Sequence, residues 1–203
     1  MNRESYSQAF HPIKDFPLRW LPVALLILVS IGLAFGEEEI RLLGRYDRAA
    51  IAGGEIWRLV TGHLVHLSWG HTWLNLVALL LMTVLLDDLM DARDWVVAFV
   101  LAATAIDVGL FFLEPEVSWY VGLSGSLHGV MVVGAIAMLR ENATMAVILL
   151  LGIICKLAWE QLLGPIPFSE STSGGAVLVD AHLFGAIGGL LASVLLALRR
   201  SRN

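Results

Sequence analysis

Residues 122–129 read Gly-Leu-Ser-Gly-Ser-Leu-His-Gly, and they open an apolar run that ends before Arg140. A run of this length approaches what a helix needs to cross the roughly 30 Å hydrocarbon core of a bilayer. Ser124 and His128 lie near its beginning, among glycines. Polar side chains are costly inside a membrane helix and are therefore functional candidates. The stretch predicts a membrane helix that carries reactive groups at its head.

The rest of the chain has the same apolar character. Of its 203 residues, 58% are hydrophobic and 15% are charged, a balance too apolar for an ordinary soluble domain. Apolar stretches bounded by charges or turn residues recur along the whole chain. We therefore predict an all-α membrane protein, a six-transmembrane-helix bundle that forms a single domain over residues 1–203. The spans are expected near residues 18–36, 71–86, 95–113, 123–139, 144–163 and 177–198.

Charge and cysteine content exclude other classes. The net charge is −5 and no basic cluster is interleaved with aromatic residues, so nucleic acid is not an expected partner. Cys155 is the single cysteine and cannot form an internal disulfide. The first apolar run is longer than the core of a signal peptide, and we expect it to remain as an uncleaved anchor.

The basic residues predict the orientation of the bundle. An even number of spans places both termini on one side, and loops rich in Lys and Arg face the cytoplasm. We therefore expect cytoplasmic termini, with eight basic residues on that side: Arg3, Lys14, Arg19, Arg93, Arg140, Arg199, Arg200 and Arg202. Four arginines fall on the opposite side, all in the first connection: Arg41, Arg45, Arg48 and Arg58.

Two connections are long enough to have structure of their own. Residues 37–70 can fold back as short helices, and three tryptophans there and at the next span suit the membrane interface: Trp57, Trp69 and Trp73. Residues 164–175 contain two prolines and two adjacent glycines, which predicts a flexible loop and a candidate gate.

Counting along the spans places several polar residues at one depth. The second, fourth and sixth spans run in the same direction, and each ends at a charged residue. His71, Ser124 and His182 precede those charges by 16, 16 and 17 residues. At 1.5 Å per residue, all three lie roughly 24 to 26 Å above the inner boundary, just below the outer edge of the hydrocarbon core. Asn75 lies one turn deeper than His71 on the same helical face.

This set contains the groups that acyl transfer requires. A serine hydroxyl needs a neighbouring base, and His182 is a suitable one for Ser124. Ser124 begins its helix, where free backbone N–H groups favour a developing oxyanion. His71 and Asn75 are candidates for further oxyanion donors. Small residues on the fourth and sixth spans would let the two backbones approach closely: Gly125, Gly129, Ala181, Gly185 and Gly189.

Four motifs, in order and spacing, resemble the rhomboid proteases. They are Glu55-Ile-Trp-Arg58, His71-xxx-Asn75, Gly122-Leu-Ser-Gly125 and Ala181-His182-xx-Gly185-xxx-Gly189, and together they cover residues 55–189. The resemblance implies a rhomboid-like bundle, an intramembrane serine endopeptidase, and a dyad without a third acid. By that resemblance Ser124 is the nucleophile, His182 the general base, and His71 with Asn75 the oxyanion donors.

The string Gly122 to Gly129 is more particularly similar to the rhombosortase subfamily. That resemblance implies a multi-pass protein of the bacterial inner membrane. It also implies that the enzyme cleaves exported proteins bearing C-terminal anchors of the GlyGly-CTERM kind. The expected partners are therefore the lipid bilayer and proteins with a C-terminal transmembrane segment. No cofactor or metal is expected, because proton transfer and electrostatics suffice for amide hydrolysis.

Other polar residues in the spans have alternative interpretations. Ser126 is a rival nucleophile, but it lies about 200° round the helix from Ser124. His128 shares a face with Ser124. It either orients Ser124 or a substrate, or it forms a hydrogen bond to a neighbouring helix. Lys156 and Glu160 form an i, i+4 pair near the outer end of the fifth span, as a structural brace or as part of a substrate gate.

The remaining polar residues are assigned more simply. Asp180 points to a different face from His182, which argues against a Ser/His/Asp triad. We expect His63 and His66 to be interfacial, and Trp57 with Arg58 to anchor the first connection. Asp107 has no explanation from the sequence.

Four other functions compete with proteolysis by Ser124. One is a catalytically inactive rhomboid-like protein that binds membrane clients. Another is a haem-bearing electron carrier with His128 and His182 as axial ligands. A metalloprotease is disfavoured because the sequence has no His-Glu-x-x-His string. Transport is disfavoured because no pair of broken helices occurs in two corresponding halves.

Overall fold

The computed structural model describes residues 18–200 as a bundle of long apolar helices. Arg3, Lys14 and Arg202, which entered the orientation argument, lie outside the described residues. The helices in chain order are α1 (Leu21–Ala34, preceded by a 3-10 turn Leu18–Trp20), α2 (Glu37–Gly44), α3 (Arg48–Ala52), α4 (Arg58–Thr61), α5 (Trp69–Leu86), α6 (Ala92–Phe112), α7 (Ser124–Met138), α8 (Ala143–Leu163), α9 (Ser169–Ser173) and α10 (Val179–Arg200).

Four of these helices are long and apolar enough to cross a membrane: α5, α6, α8 and α10. The other two predicted spans correspond to shorter apolar helices, Leu18–Ala34 and Ser124–Met138. At 1.5 Å per residue the 15 residues of α7 extend about 22 Å, which is less than the hydrocarbon core of a bilayer. Ser124 is the first residue of this short helix.

Ion pairs fix which helix ends lie together. Arg19, before α1, forms two hydrogen bonds of 2.7 Å to the carboxylate of Asp87, which follows α5. Arg200, at the end of α10, donates to Asp94 in the first turn of α6 at 2.6 Å. The start of α1, the end of α5, the start of α6 and the end of α10 therefore share one end of the bundle, as the sequence predicts.

The first connection folds into three short helices, α2 to α4, as expected, together with one element that was not predicted. Strand β1 (Tyr46–Asp47) pairs antiparallel with β2 (Trp119–Tyr120), so that Tyr46 lies opposite Tyr120. The all-α prediction missed this pair because two residues carry no alternation that a sequence pattern can reveal.

Arginines hold the connection in place. The Arg48 guanidinium donates to carbonyl oxygens that follow or end α6: Leu110, Phe111, Glu114 and Val117. Leu110 and Phe111 are among the last four residues of α6, whose carbonyls have no partner within the helix. Arg58 is buried and donates to the carbonyls of Leu42 and Arg45 and to the carboxylate of Glu55. The prediction that Arg58 anchors the loop is therefore confirmed.

The centre of the bundle is the contact between α7 and α10, and glycines make it possible. A Cβ atom at Gly185 would lie 2.0 Å from the carbonyl oxygen of Gly125, and one at Gly189 would lie 2.3 Å from that of Gly129. No side chain fits in such a gap, so the two backbones touch directly. The predicted close approach of the two small-residue faces is confirmed.

Candidate active site

The loop before α7 sets the position of Ser124. Gly122 has φ +116°, a conformation that side chains disfavour, and its N–H donates to the Gly62 carbonyl at 2.9 Å. The Tyr120 hydroxyl donates to the Gly122 carbonyl at 2.5 Å. Burial raises the pKa of Tyr120, so this hydroxyl stays protonated and keeps its donor role. The backbone just before α7 is therefore held at both the N–H and the carbonyl of Gly122.

Ser124 and His182 lie within hydrogen-bonding distance. Ser124 Oγ is 3.0 Å from His182 Nε2, and the two residues come from α7 and α10. Both side chains are short, and the glycine contact between the two helices is what allows them to meet. His182 is buried, whereas Ser124 is half-buried and can be reached from outside.

A carboxylate approaches the other nitrogen of His182. Glu160 Oε2, on α8, lies 2.9 Å from His182 Nδ1, and Glu160 Oε1 accepts a 2.7 Å hydrogen bond from Lys156. The Lys156 amine is also 3.5 Å from His182 Nδ1. The sequence predicted the Lys156–Glu160 pair correctly but not its contact with the histidine. A depth count would have found it, because Glu160 lies 17 residues beyond the start of α8 and so at the level of His182.

His128 lies against the opposite side of this group. Its ring stacks on that of His182, with centroids 4.3 Å apart and planes inclined by 22°. His128 Nδ1 is 2.7 Å from the Ser124 carbonyl oxygen, so Nδ1 carries the hydrogen and donates it. Two stacked rings cannot be axial ligands on opposite faces of one haem iron, and the electron-carrier alternative is wrong for these two residues.

His71 reaches the loop before Ser124 from α5, and Asn75 lies one turn further along the same helix. The Leu67 N–H donates to His71 Nδ1 at 3.4 Å, which leaves the hydrogen of the neutral ring on Nε2. A Cβ atom at position 122 would lie 3.0 Å from that Nε2, so the ring lies against the loop before Ser124. Asn75 Nδ2 donates to the His71 carbonyl at 3.0 Å, which uses one of its two amide hydrogens.

The remaining polar candidates lie away from this group. Ser126 Oγ is buried without a hydrogen-bond partner among the described residues. It lines an apolar cavity of about 590 Å³ together with His63 and Asp107. His63 Nε2 is 3.3 Å from Asp107, which gives that carboxylate the partner that the sequence did not suggest. The carboxylate that reaches His182 comes from Glu160 and not from Asp180.

His63 and His66, which precede α5, are expected at the level of the membrane interface. Within the protein both side chains are buried, at 4% and 8% exposed. Burial, together with the nearby positive charge of a protonated His71, lowers the pKa of His66 to about 3. His66 is therefore neutral at physiological pH, with its ring edge-on to His71 at 5.0 Å between centroids.

The loop of residues 164–175 covers the head of α5. It contains α9, and the Ser68 hydroxyl donates to the Ser173 carbonyl at 2.8 Å. The same hydroxyl accepts the His71 N–H at 3.1 Å and so caps α5. One serine therefore ties this loop to the helix that carries His71.

One group of ligating atoms is also suited to a metal ion. His128, Glu160 and His182 each offer an atom within 4.8 Å of the others. Both nitrogens of His182 are within hydrogen-bonding distance of other groups, Ser124 and Glu160. A metal ion would have to replace one of these contacts, and the group is accounted for without one.

Comparison with known proteins agrees with this geometry. The family described as "Rhomboid domain" matches residues 53–199. The chain is 28% identical over 153 residues to the "Putative rhomboid protease YdcA" of Bacillus subtilis (strain 168), covering 75% of this chain and 73% of that protein. It is 27% identical over 129 residues to the "Rhomboid-like protease 3" of Toxoplasma gondii, covering 61% of this chain and 48% of that protein.

Proposed function

The chain belongs to the rhomboid family, and from that premise we propose that it is an intramembrane serine endopeptidase with Ser124 as nucleophile and His182 as general base. The observation that carries the proposal is the 3.0 Å separation of Ser124 Oγ and His182 Nε2. This distance lies within the range in which a base can accept the proton of a nucleophile.

The reaction follows from which atoms face each other. Ser124 Oγ attacks the scissile carbonyl and gives its proton to His182 Nε2, so that a tetrahedral oxyanion forms. The N–H groups at the start of α7 and the Nε2–H of His71 are the donors available to that oxyanion, with Asn75 as a further candidate. His182 then returns the proton to the leaving amine. The C–N bond breaks as this proton is transferred, which leaves an acyl-enzyme. Water then attacks the acyl carbon and gives a proton to His182 Nε2, and the bond to Ser124 Oγ breaks as Oγ takes that proton back.

The substrate class follows from the depth of the site. The residue count predicts Ser124 just below the outer edge of the hydrocarbon core, so we expect the scissile bond to be presented near a membrane boundary by a protein that is itself anchored there. We infer a C-terminal transmembrane segment of the GlyGly-CTERM kind, from the similarity of Gly122 to Gly129 to rhombosortases. This assignment goes with a six-span bundle in a bacterial inner membrane and both termini in the cytoplasm.

The test is labelling by a fluorophosphonate probe, which reacts with activated serines. The purified protein in detergent should be labelled, Ser124→Ala should abolish labelling, and His182→Ala should reduce it by at least a hundredfold. Ser126→Ala is the matched control, since it removes a neighbouring hydroxyl that has no partner among the described residues. Labelling that persists in Ser124→Ala would refute the nucleophile assignment.

The substrate class needs a second measurement. A protein that carries a C-terminal GlyGly-CTERM anchor should be cleaved in vesicles by the unmodified chain and not by Ser124→Ala. The same protein with an unrelated C-terminal transmembrane helix should be cleaved at least tenfold more slowly. Equal cleavage of the two proteins would remove the rhombosortase assignment and leave the protease assignment in place. Binding of both without cleavage would favour the inactive client-binding alternative.

A further inference from the structure

The base in this site has an acidic neighbour that the dyad does not require. Glu160 is 3% exposed, and its Oε2 lies 2.9 Å from the nitrogen of His182 that faces away from Ser124. We propose that Glu160 is a positioning residue that orients His182 toward Ser124, an inference that rests on the proposed function of those two residues.

The argument begins with the tautomer of His182. Neutral imidazole carries one hydrogen, and Nε2 can accept the serine proton only if that hydrogen is on Nδ1. A carboxylate only accepts hydrogen bonds, so Glu160 requires a hydrogen on Nδ1. An ammonium group has the opposite effect, because it only donates and would leave the hydrogen on Nε2.

Distances decide between these two neighbours. Glu160 Oε2 is 2.9 Å from Nδ1, whereas Lys156 Nζ is 3.5 Å from it, at the limit of a hydrogen bond. Lys156 instead makes its close contact of 2.7 Å with the other carboxylate oxygen. The contacts therefore favour the reactive tautomer, with Lys156 bonded to the carboxylate and not to the ring.

The same contact acts after proton transfer. When His182 accepts the serine proton it becomes an imidazolium inside an apolar bundle, where an isolated charge is expensive. The Glu160 carboxylate stabilises that charge at short range and keeps its own ionised form. The proton goes from Ser124 Oγ to His182 Nε2 and later to the leaving group, so Glu160 holds the ring and never receives the proton.

A purely structural role is the rival interpretation. Only three residues of α8 are buried, at intervals of seven: Ala146, Ile153 and Glu160. Glu160 ends this narrow stripe, and its hydrogen bond to His182 also joins α8 to α10. A brace and a positioning residue predict different results for a substitution that keeps the shape but removes the charge.

The test is Glu160→Gln, measured by the rate of fluorophosphonate labelling, the melting temperature in detergent, and ¹⁵N NMR of the histidine rings. We expect labelling at pH 7 to slow by 10²- to 10⁴-fold, in line with loss of the acid in a serine protease triad. The ¹⁵N spectrum should show His182 passing from the Nδ1–H to the Nε2–H tautomer, with an unchanged melting temperature. Glu160→Asp should recover part of the rate, and Glu141→Gln, on an exposed loop, is the matched control.

Each outcome decides the proposal. Labelling of Glu160→Gln within twofold of the control would overturn it. So would a loss of labelling with a lowered melting temperature and an unchanged His182 tautomer, since that result indicates a brace. If the unmodified protein is not labelled at all, the proposed function fails, and the NMR tautomer still decides whether Glu160 orients His182. If Glu160→Gln does not fold, the Glu160→Asp spectrum and rate decide in its place.

Discussion

The substitution Gly185→Ala should disable the site without touching any polar group in it. Gly185 lies on α10, less than one turn beyond His182, and packs against the backbone of Gly125 on α7. A methyl group there would lie 2.0 Å from the Gly125 carbonyl oxygen. Because that atom belongs to the backbone, it cannot rotate away as a side chain would.

The size of the displacement can be worked out from the contact distance. Ordinary van der Waals contact begins at 3.4 Å, so α7 and α10 must separate by about 1.4 Å. If half of this movement reaches the Ser124–His182 contact, the distance rises from 3.0 Å to about 3.7 Å, beyond the range for proton transfer. Misplacement by about 1 Å costs on the order of 10²-fold in rate, and we expect a loss of between about 10- and 10²-fold for the displacement of about 0.7 Å.

Two control variants separate this effect from overpacking in general. Gly134→Ala also overpacks α7, at 2.4 Å from a Leu86 methyl group, but it lies ten residues from Ser124, about 15 Å along the helix. Gly152→Ala, on α8, meets no atom within 4 Å. For each variant we would measure the rate of labelling by the fluorophosphonate probe and the melting temperature. Gly134→Ala should lose stability and keep labelling, and Gly152→Ala should keep both.

The prediction fails if Gly185→Ala is labelled within twofold of Gly152→Ala. That result would mean that α10 shifts along its axis without opening the gap, so that the glycine contact does not control the distance between nucleophile and base. Loss of labelling in Gly134→Ala at unchanged melting temperature would also contradict the reasoning. It would show that the labelling rate responds to added volume anywhere along α7 and not only at the contact with Gly185.

Three further predictions concern the surroundings of the site. Arg48→Met should lower the free energy of unfolding by about 2 to 4 kcal/mol, because carbonyls at and just beyond the end of α6 lose a charged donor. Chemical unfolding in detergent measures this change, with Arg93→Met, at an exposed arginine, as the control. The pKa of His66 is about 3 in the folded chain and 6.5 in the unfolded chain. Between these two pH values, His66 binds a proton in the unfolded chain and not in the folded chain. Stability should therefore fall below pH 6.5, by up to about 1.4 kcal/mol per pH unit, and His66→Phe should flatten this dependence in melting curves at pH 7.5 and 5.5. His128→Phe keeps an aromatic ring on His182 and should be labelled up to about tenfold faster than His128→Ala; equal rates would show that stacking contributes nothing.

The helices and the level of the site could be predicted from the sequence because both depend on length. Apolar runs fix where helices begin and end to within three residues, as α5 and α10 show. Counting residues from a common boundary then placed Ser124 and His182 at one depth, and the small-residue spacing placed their helices in contact. Helix length, depth and the spacing of small residues all depend on position along the chain, so they can be read from the sequence.

The contacts of buried polar groups could not be predicted in the same way. Glu160 on α8 and Asp107 on α6 each find a histidine on another element, His182 and His63 respectively. Which face of a helix meets which neighbour depends on rotation about the helix axis, and a lone carboxylate in an apolar run does not record that rotation. The i, i+4 spacing of Lys156 and Glu160 revealed only the local partner.

Three of the four arginines of the first connection, which weakened the charge argument for orientation, have a structural use that explains them. Arg48 and Arg58 bond backbone carbonyls of α6 and of the connection itself, and Arg45 pairs with Asp47 at 2.8 Å. The connection so fixed presents the Gly62 carbonyl to the N–H of Gly122, directly before the short helix that begins with Ser124. This contact fixes the backbone just before Ser124, the first residue of α7. Arg45, Arg48 and Arg58 therefore hold the connection that contacts the loop before Ser124, and their charge should be left out when basic residues are counted to orient the chain.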